Sequence, residues 1–381
     1  MEKLEQLRQQ INDIDEKIAD LFDERMNVAR EIGEAKAESG LSVADHNREK
    51  SVINRVTARV GDDKKVYLKQ VYEKIFDVSK AYQTRYTDVE SPLGKEITEA
   101  IERTGSEFPV SATVACQGIA GAYSMLACER LFEISDILYF KDFNGVFTAI
   151  EKGLCRYGIL PIENSTAGSV NAVYDLVLKH KFYIARTLRL KVKHCLLAKK
   201  GASLSDVKEI VSHEQAINQC SEYIKKFPLA KVTVVENTAV AARMVAEGDR
   251  ADIAAISSPE CADVYGLDIL QSGIQNADNN YTRFICISKK LEIYPNADKI
   301  SVVLSLPHVT GSLNKILSRF SSLGLNLTKI ESRPIASSEF EFAFYFDFEG
   351  DVRKKEVYNL LSEMYNTLEN FAFLGCYREV G

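Results

Sequence analysis

Residues able to do chemistry cluster at turns and at the mouths of apolar runs. The turn-forming stretch Asn276-Ala-Asp-Asn-Asn280 leads into Tyr281-Thr282-Arg283, directly before Phe284-Ile-Cys-Ile287. That short continuous run reads as a buried parallel strand, yet a hydroxyl and a guanidinium stand at its mouth. Three further fragments have the same character: Gly118-Ile-Ala-Gly-Ala-Tyr-Ser124, Pro161-Ile-Glu-Asn-Ser165 and Ser212-His-Glu-Gln215. In an open α/β sheet a ligand lies beyond the carboxyl ends of strands, near helix N-termini that favour anions. Taken singly, Glu163, Asn164, Ser165 and Ser169 read as turn and cap residues, and His213 as structural. The convergence of four fragments on loop positions argues for a site. The first fragment is G-x-x-G, not the dinucleotide pattern G-x-G-x-x-G, so no nicotinamide cofactor is expected.

A second constellation lies near the N-terminus. Leu4, Leu7, Ile11, Ile14, Ile18, Leu21, Val28 and Ile32 keep a heptad rhythm. Arg25 breaks it by occupying a seam position. A buried guanidinium needs an anion, supplied either by a carboxylate of the bundle or by a ligand. Asp45, Arg48, Glu49 and Val52 share one helix face. Ser79 and Gln83 sit one turn apart and continue the line of Tyr72, Ile75 and Phe76. Polar groups thus enter apolar stripes on three helices, which suggests a small polar ligand held between them.

The elements that must position these residues show three compositions along 381 residues, more than one core accommodates. The first 91 residues hold no proline or cysteine and read as helices. Residues 89–111 read as a linker with a short helix. Between 112 and 292, short apolar runs alternate with amphipathic helices, the pattern of parallel α/β units. Two lobes are expected there, with Tyr183–Lys199 crossing between them. Residues 299–381 read βαββαβ, the ferredoxin-like plan.

A net charge of −6 offers no basic surface for nucleic acid. No run is long and apolar enough to span a membrane. The eight cysteines lie at least twelve residues apart, without metal-binding spacing, and read as buried thiols of a cytoplasmic protein. No metal is expected.

The segment from Leu4 to Tyr86 resembles the all-helical chorismate mutase domain, an intertwined dimer. The family's motif falls on Arg8, Arg25, Lys36, Asp45, Arg48, Glu49, Ser79 and Gln83 without departure. Arg8 and Arg25 are seventeen residues apart, or ~25 Å on a straight helix. If both hold one metabolite, Arg8 must come from a neighbouring chain. The resemblance implies rearrangement of chorismate to prephenate. That chemistry needs a folded dianion and donors aimed at the breaking ether bond, but no nucleophile, metal or cofactor. Arg8 and Arg25 would grip carboxylates, Lys36 and Gln83 the ether oxygen, and Glu49 the ring hydroxyl. Asp45, Arg48 and Ser79 would complete the wall.

Residues 112–290 resemble prephenate dehydratase through Gly-x-x-Gly-x-Tyr-Ser, Pro-Ile-Glu-Asn-Ser, Ser-His-x-Gln with Gln219-Cys220, Asn237-Thr238 and Thr-Arg-Phe. Departures fall at Ile119, Ala122 and Glu214, beside the polar set. The resemblance implies a periplasmic-binding-protein-like core with the site in its cleft. Thr282 would hydrogen-bond the departing hydroxyl and Arg283 would anchor a carboxylate or the loop. Glu163 would donate a proton if burial raises its pKa. Asn164, Ser165, Ser212 and Gln219 would position the substrate.

The C-terminal segment resembles a regulatory ACT domain. Glu331-Ser332-Arg333-Pro334 matches its phenylalanine-binding motif, and Gly311-Ser-Leu313-Asn314 its partner loop. Asn314 puts an amide where an apolar residue normally packs. Together the three segments resemble a bifunctional chorismate mutase–prephenate dehydratase, a homodimer or larger homo-oligomer inhibited by L-phenylalanine. Two rivals remain: a mutase paired with prephenate dehydrogenase, opposed by the missing nucleotide fingerprint, and a non-enzymatic aromatic-metabolite sensor, opposed by the intact mutase set.

Overall fold

The computed structural model describes residues 1–39, 46–83, 86, 89–334 and 342–381. Helices α1 (Glu2–Glu38), α2 (His46–Thr57), α3 (Asp62–Gln83) and α4 (Pro92–Arg103) come first. An α/β region follows with β1 (Ser111–Gln117), α5 (Tyr123–Leu131), β2 (Ile134–Phe140), α6 (Phe143–Glu151), β3 (Tyr157–Asn164), β4 (Gly168–Ser169), α7 (Asn171–His180) and β5 (Tyr183–Lys191). It continues through β6 (Cys195–Ala198), β7 (Glu209–Ser212), α8 (Glu214–Gln219), α9 (Ser221–Ile224), β8 (Lys231–Val234) and α10 (Thr238–Glu247). It closes with β9 (Ile253–Ser257), α11 (Glu260–Tyr265), β10 (Asp268–Ser272) and β11 (Tyr281–Ser288). Last come β12 (Lys299–Ser305), α12 (Ser312–Ser322), β13 (Leu327–Pro334), β14 (Phe342–Glu349), α13 (Lys355–Thr367), β15 (Phe371–Tyr377) and β16 (Glu379–Val380).

The chain forms two compact units, one of residues 1–99 with 300–373 and the other of residues 100–299 with 374–381. In the first, α1 carries its apolar seam in the open: Leu4, Leu7, Ile11, Ile14, Ile18, Leu21, Val28 and Ile32 are 46–64% exposed. Only its C-terminal half finds cover, where Ala29 is buried near the buried Phe76 of α3. The expected linker is itself ordered against α13. Ser91 Oγ donates to Ser362 Oγ at 2.9 Å, the Val89 N–H to Asn359 Oδ1 at 3.1 Å, and Leu93 is buried. Gly94 is needed there because a Cβ would strike the Tyr358 ring and Ser362. The βαββαβ segment forms a four-stranded sheet in the order β13-β14-β12-β15, with β13 at an edge.

The second unit contains two sheets. One runs β16-β5-β11-β3-β1-β2, with β4 beside β3, and the other β10-β6-β9-β7-β8. Tyr183–Lys199 is therefore not one crossing stretch: β5 belongs to the first sheet and β6 to the second, with only residues 192–194 between them. The chain returns through residues 273–280. The two crossings are stitched together, Val192 N–H to the Asn280 carbonyl at 2.8 Å and Ile274 N–H to that of His194 at 3.1 Å. Strand β11 corrects another expectation, since it lies antiparallel to both β3 and β5. Its continuous apolar run reports burial on two faces; its direction is set by where the returning chain enters the sheet. Each sheet buries its own core, one around Tyr157, Phe284 and Phe132, the others around Leu197 and Ala255 and around Leu196 and Ile256. All eight cysteines are buried thiols. Among the described residues no helix is long and apolar enough to cross a membrane.

Candidate active sites

In the helical part, α1, α2 and α3 surround a hollow lined by Arg25, Lys36, Arg48, Glu49, Ser79 and Gln83, with Val28, Ile32, Val52, Tyr72 and Phe76 as its apolar wall. Six expected site residues from three helices thus converge. Arg25 donates to Ser79 Oγ and lies 5.8 Å from the Phe76 ring centre. Ser79 Oγ in turn donates a hydrogen bond to the Ile75 carbonyl at 2.7 Å. Among the described residues no carboxylate pairs with Arg25, and burial pulls its pKa below the ordinary value. A guanidinium held this way stays charged and is left to bind an anion that enters. Arg8 lies outside the hollow on the open stretch of α1, 67% exposed and 3.9 Å from Glu5. Asp45 falls outside the described residues.

In the α/β part, the polar fragments meet beside the two crossings. Asn164, at the end of β3, is paired with Thr282 across the β3–β11 ladder, as Glu163 is with Arg283. The Asn164 amide nitrogen donates to Thr282 Oγ1 at 3.0 Å and to Asn280 Oδ1 at 2.8 Å. Its oxygen accepts from the Thr166 hydroxyl at 2.7 Å and from the Thr166 and Ala167 N–H groups at 3.1 and 3.0 Å. Gln219, in the other lobe, donates to Thr166 Oγ1 at 2.8 Å and accepts from Asn280 Nδ2 at 3.0 Å. The Thr282 hydroxyl therefore already accepts one hydrogen bond, and its own O–H is left able to donate.

Three expected residues are engaged by partners within the chain. Glu163 is not buried: its side chain is 37% exposed and lies 3.5 Å from the Arg283 guanidinium. The structure gives it an ion-pair partner in place of the burial on which a proton-donor role depended. Ser212 is fully buried in β7, and its hydroxyl donates to the Ile256 carbonyl at 2.6 Å. It ties β7 to β9. Ser165 donates to the Asn279 carbonyl at 2.8 Å and accepts from the Tyr281 N–H at 2.9 Å, pinning the mouth of β11. His213 caps α8, accepting from the Gln215 N–H at 3.3 Å. In the first fragment Gly121 has φ +82°, and a Cβ would strike Cys261.

In the C-terminal segment a third hollow is lined by Leu306, His308, Val309, Ser312, Leu313, Phe342 and Phe344. Gly311 precedes α12 with φ +88°. Asn314 is exposed and does not line this hollow, so it buries no amide in the isolated chain. Glu331 lies 3.2 Å from Lys329, Ser332 is paired with Phe344 in the ladder, and Arg333 lies 6.0 Å from the Tyr345 ring centre.

The chorismate mutase type II family model matches residues 7–84, and that of prephenate dehydratase residues 114–292. Arogenate dehydratase 2 of Petunia hybrida is 34% identical, covering 78% of this chain and 79% of its own length. The chain belongs to the chorismate mutase–prephenate dehydratase family. The bifunctional chorismate mutase/prephenate dehydratase of Escherichia coli K12 is 29% identical over 97% of this chain and 95% of its own. Among solved structures, the prephenate dehydratase of Arthrobacter aurescens in complex with L-phenylalanine is 29% identical with a TM-score of 0.64, covering 70% of this chain and 90% of that one.

This chain is thus an enzyme with a chorismate mutase domain and a prephenate dehydratase domain. Sequence reasoning missed Lys80 in the mutase domain, which lines the hollow 3.0 Å from Glu49 and 3.7 Å from Asp77. It also missed Thr166, His194 and Asn280 in the dehydratase domain. Asn280 ends the turn before Tyr281 and Thr282 and is 2% exposed, but nothing in its neighbours marks an asparagine as buried. His194 stands between Lys193 and the apolar run Cys195–Ala198, where a histidine carries no local signal.

Proposed function

We propose that the chain rearranges chorismate to prephenate in the helical hollow and converts prephenate to phenylpyruvate in the two-lobed domain, with L-phenylalanine as inhibitor. The observation that carries the reading is convergence: residues distant in sequence gather at two polar sites of different chemistry. The helical site offers cations and amide donors without a nucleophile, which suits a pericyclic rearrangement of a dianion. Arg25, Lys36, Arg48, Glu49, Ser79 and Gln83 come from one chain. Arg8 and Asp45 complete the set, Arg8 from a second copy packed on the open seam of α1. Burying that seam calls for a homodimer.

In the dehydratase step the ring carboxylate leaves as carbon dioxide, and its bonding pair moves into the ring. The hydroxyl departs with that electron flow and takes a proton to become water. Thr282 donates a preorganised hydrogen bond to the departing oxygen. Arg283 holds a carboxylate, and Glu163 orients Arg283. Asn164 and Gln219 fix the floor of the cleft of a periplasmic-binding-protein-like core. Residues 1–88 form the mutase domain, 112–292 the dehydratase domain and 299–381 an ACT domain, with 89–111 as linker.

The ferredoxin-like strand order of the ACT segment, and the hollow beside Gly311 and Leu313, support a site for the effector next to Glu331, Ser332 and Arg333. Supplying chorismate alone, without cofactor, should yield prephenate and then phenylpyruvate. Accumulation of prephenate, or reduction of NAD⁺ on its addition, would overturn the dehydratase assignment.

A further inference from the structure

We propose that His194 is a positioning residue for the dehydratase reaction: its Nε2–H locks the Gln219 amide, and through it the hydrogen-bond chain that leaves the Thr282 proton to the substrate. This rests on the reading of Thr282 as donor to the departing oxygen.

His194 lies in the first crossing between the lobes and is 2% exposed. Its backbone is held at both polar groups, the N–H by Gln275 Oε1 at 3.0 Å and the carbonyl by the Ile274 N–H at 3.1 Å. The ring therefore has a fixed place, and its Nε2 lies 2.8 Å from Gln219 Oε1. That oxygen also receives Asn280 Nδ2, and an amide oxygen can only accept. Nε2 must carry the proton. Nδ1 is buried and has no partner, so a second proton there would be an unsatisfied buried donor. The neutral Nε2–H tautomer follows.

The consequence runs along three amides. Each oxygen meets the nitrogen of the next: Gln219 Oε1 receives Asn280 Nδ2, and Asn280 Oδ1 receives Asn164 Nδ2. Turning Gln219 over would set its NH₂ against that of Asn280. Turning Asn280 as well would set NH₂ against NH₂ at Asn164. The backbone N–H groups of Thr166 and Ala167 hold the Asn164 end, and His194 holds the other. Gln219 also crosses the cleft to Thr166, so the same ring keeps the lobes in register around Thr282.

The test uses the full chain and measures both activities. His194→Leu should lower dehydratase kcat at least tenfold with mutase turnover within twofold. His194→Gln, whose amide nitrogen reaches the place of Nε2, should restore kcat to within about threefold. His194→Asn, whose nitrogen replaces Nδ1, should not. A merely structural demand for a buried polar group would not separate those two. Nitrogen-15 spectra of ring-labelled histidine, assigned by the signal missing in His194→Leu, should show a bare Nδ1 and a protonated Nε2 at neutral pH. An imidazolium or Nδ1–H signal, or His194→Leu turnover within twofold of the parent, would overturn the proposal. Thr282→Ala is the control: if it keeps turnover, the reading of Thr282 fails, whatever the tautomer of His194.

Discussion

At the residue scale, the two lobes ask different things of their hydroxyls. Thr282 accepts a hydrogen bond from Asn164 and leaves its own O–H able to donate, whereas Ser212 donates its hydrogen bond to the Ile256 carbonyl. Thr282→Ala should lower dehydratase kcat by ~10²-fold or more, the usual cost of a lost transition-state hydrogen bond, with mutase kinetics as the check. Ser212→Ala should leave dehydratase kcat within about twofold but lower stability by ~1–3 kcal/mol, because a buried carbonyl loses its donor; urea unfolding would measure it. His194 adds a pH dependence. Burial pulls its pKa below the ordinary value, outweighing the opposing hydrogen bond to Gln219. The unfolded chain then binds the proton more readily, so this contribution is fully present above about pH 6.5 and is lost as pH falls toward the lowered folded value. Unfolding midpoints for the dehydratase lobes should decline below that pH, and less steeply in His194→Gln.

At the scale of elements, α1 is the helix whose sequence and surroundings disagree. A 37-residue amphipathic helix leaves eight large apolar side chains about half exposed, a surface that a second copy would cover. Because Arg8 and Arg25 lie ~25 Å apart along it, a dimer site that used both would take one arginine from each chain. Arg8→Ala and Arg25→Ala should each abolish mutase turnover, and mixing the two should restore part of it, since one hybrid site keeps both arginines. No recovery after proven subunit exchange would mean that the arginines serve separate purposes. On α3, Lys80 holds Glu49 at 3.0 Å from inside the hollow. Lys80→Met should raise the KM for chorismate several-fold while leaving dehydratase kinetics alone.

At the scale of the whole molecule, the C-terminal segment is not a detachable appendage. Strand β16 pairs with β5 of the dehydratase sheet, and Lys299 lies 2.7 Å from Glu379. Removing residues 299–381 would strip an edge from that sheet, so truncation would confuse loss of inhibition with loss of fold. Ser332→Ala is the cleaner probe. Ser332 is exposed on edge strand β13, opposite Phe344 of the third hollow. Inhibition by L-phenylalanine should weaken about tenfold, or ~1.4 kcal/mol of coupling, with uninhibited kcat retained. Calorimetry showing no phenylalanine binding to the intact protein would leave the segment as an assembly element.

What the sequence determined by itself was the set of residues a helix face presents. Arg25 in a seam position, Arg48 and Glu49 side by side and Ser79 four before Gln83 do line one hollow, because helical periodicity ties spacing to direction. The βαββαβ order was equally legible, since each element there is long enough to show its own period. In the dehydratase domain local spacing said which residues stand at strand mouths and nothing about what they meet. Asn164 and Thr282 become partners through the β3–β11 pairing, and the direction of β11 depended on the returning chain. Glu163 found Arg283, Ser212 turned inward, and His194 and Asn280 came together at two crossings eighty-six residues apart in sequence. Hydrogen bonds between distant segments depend on which strands are neighbours and in which register, and only the folded chain decides that.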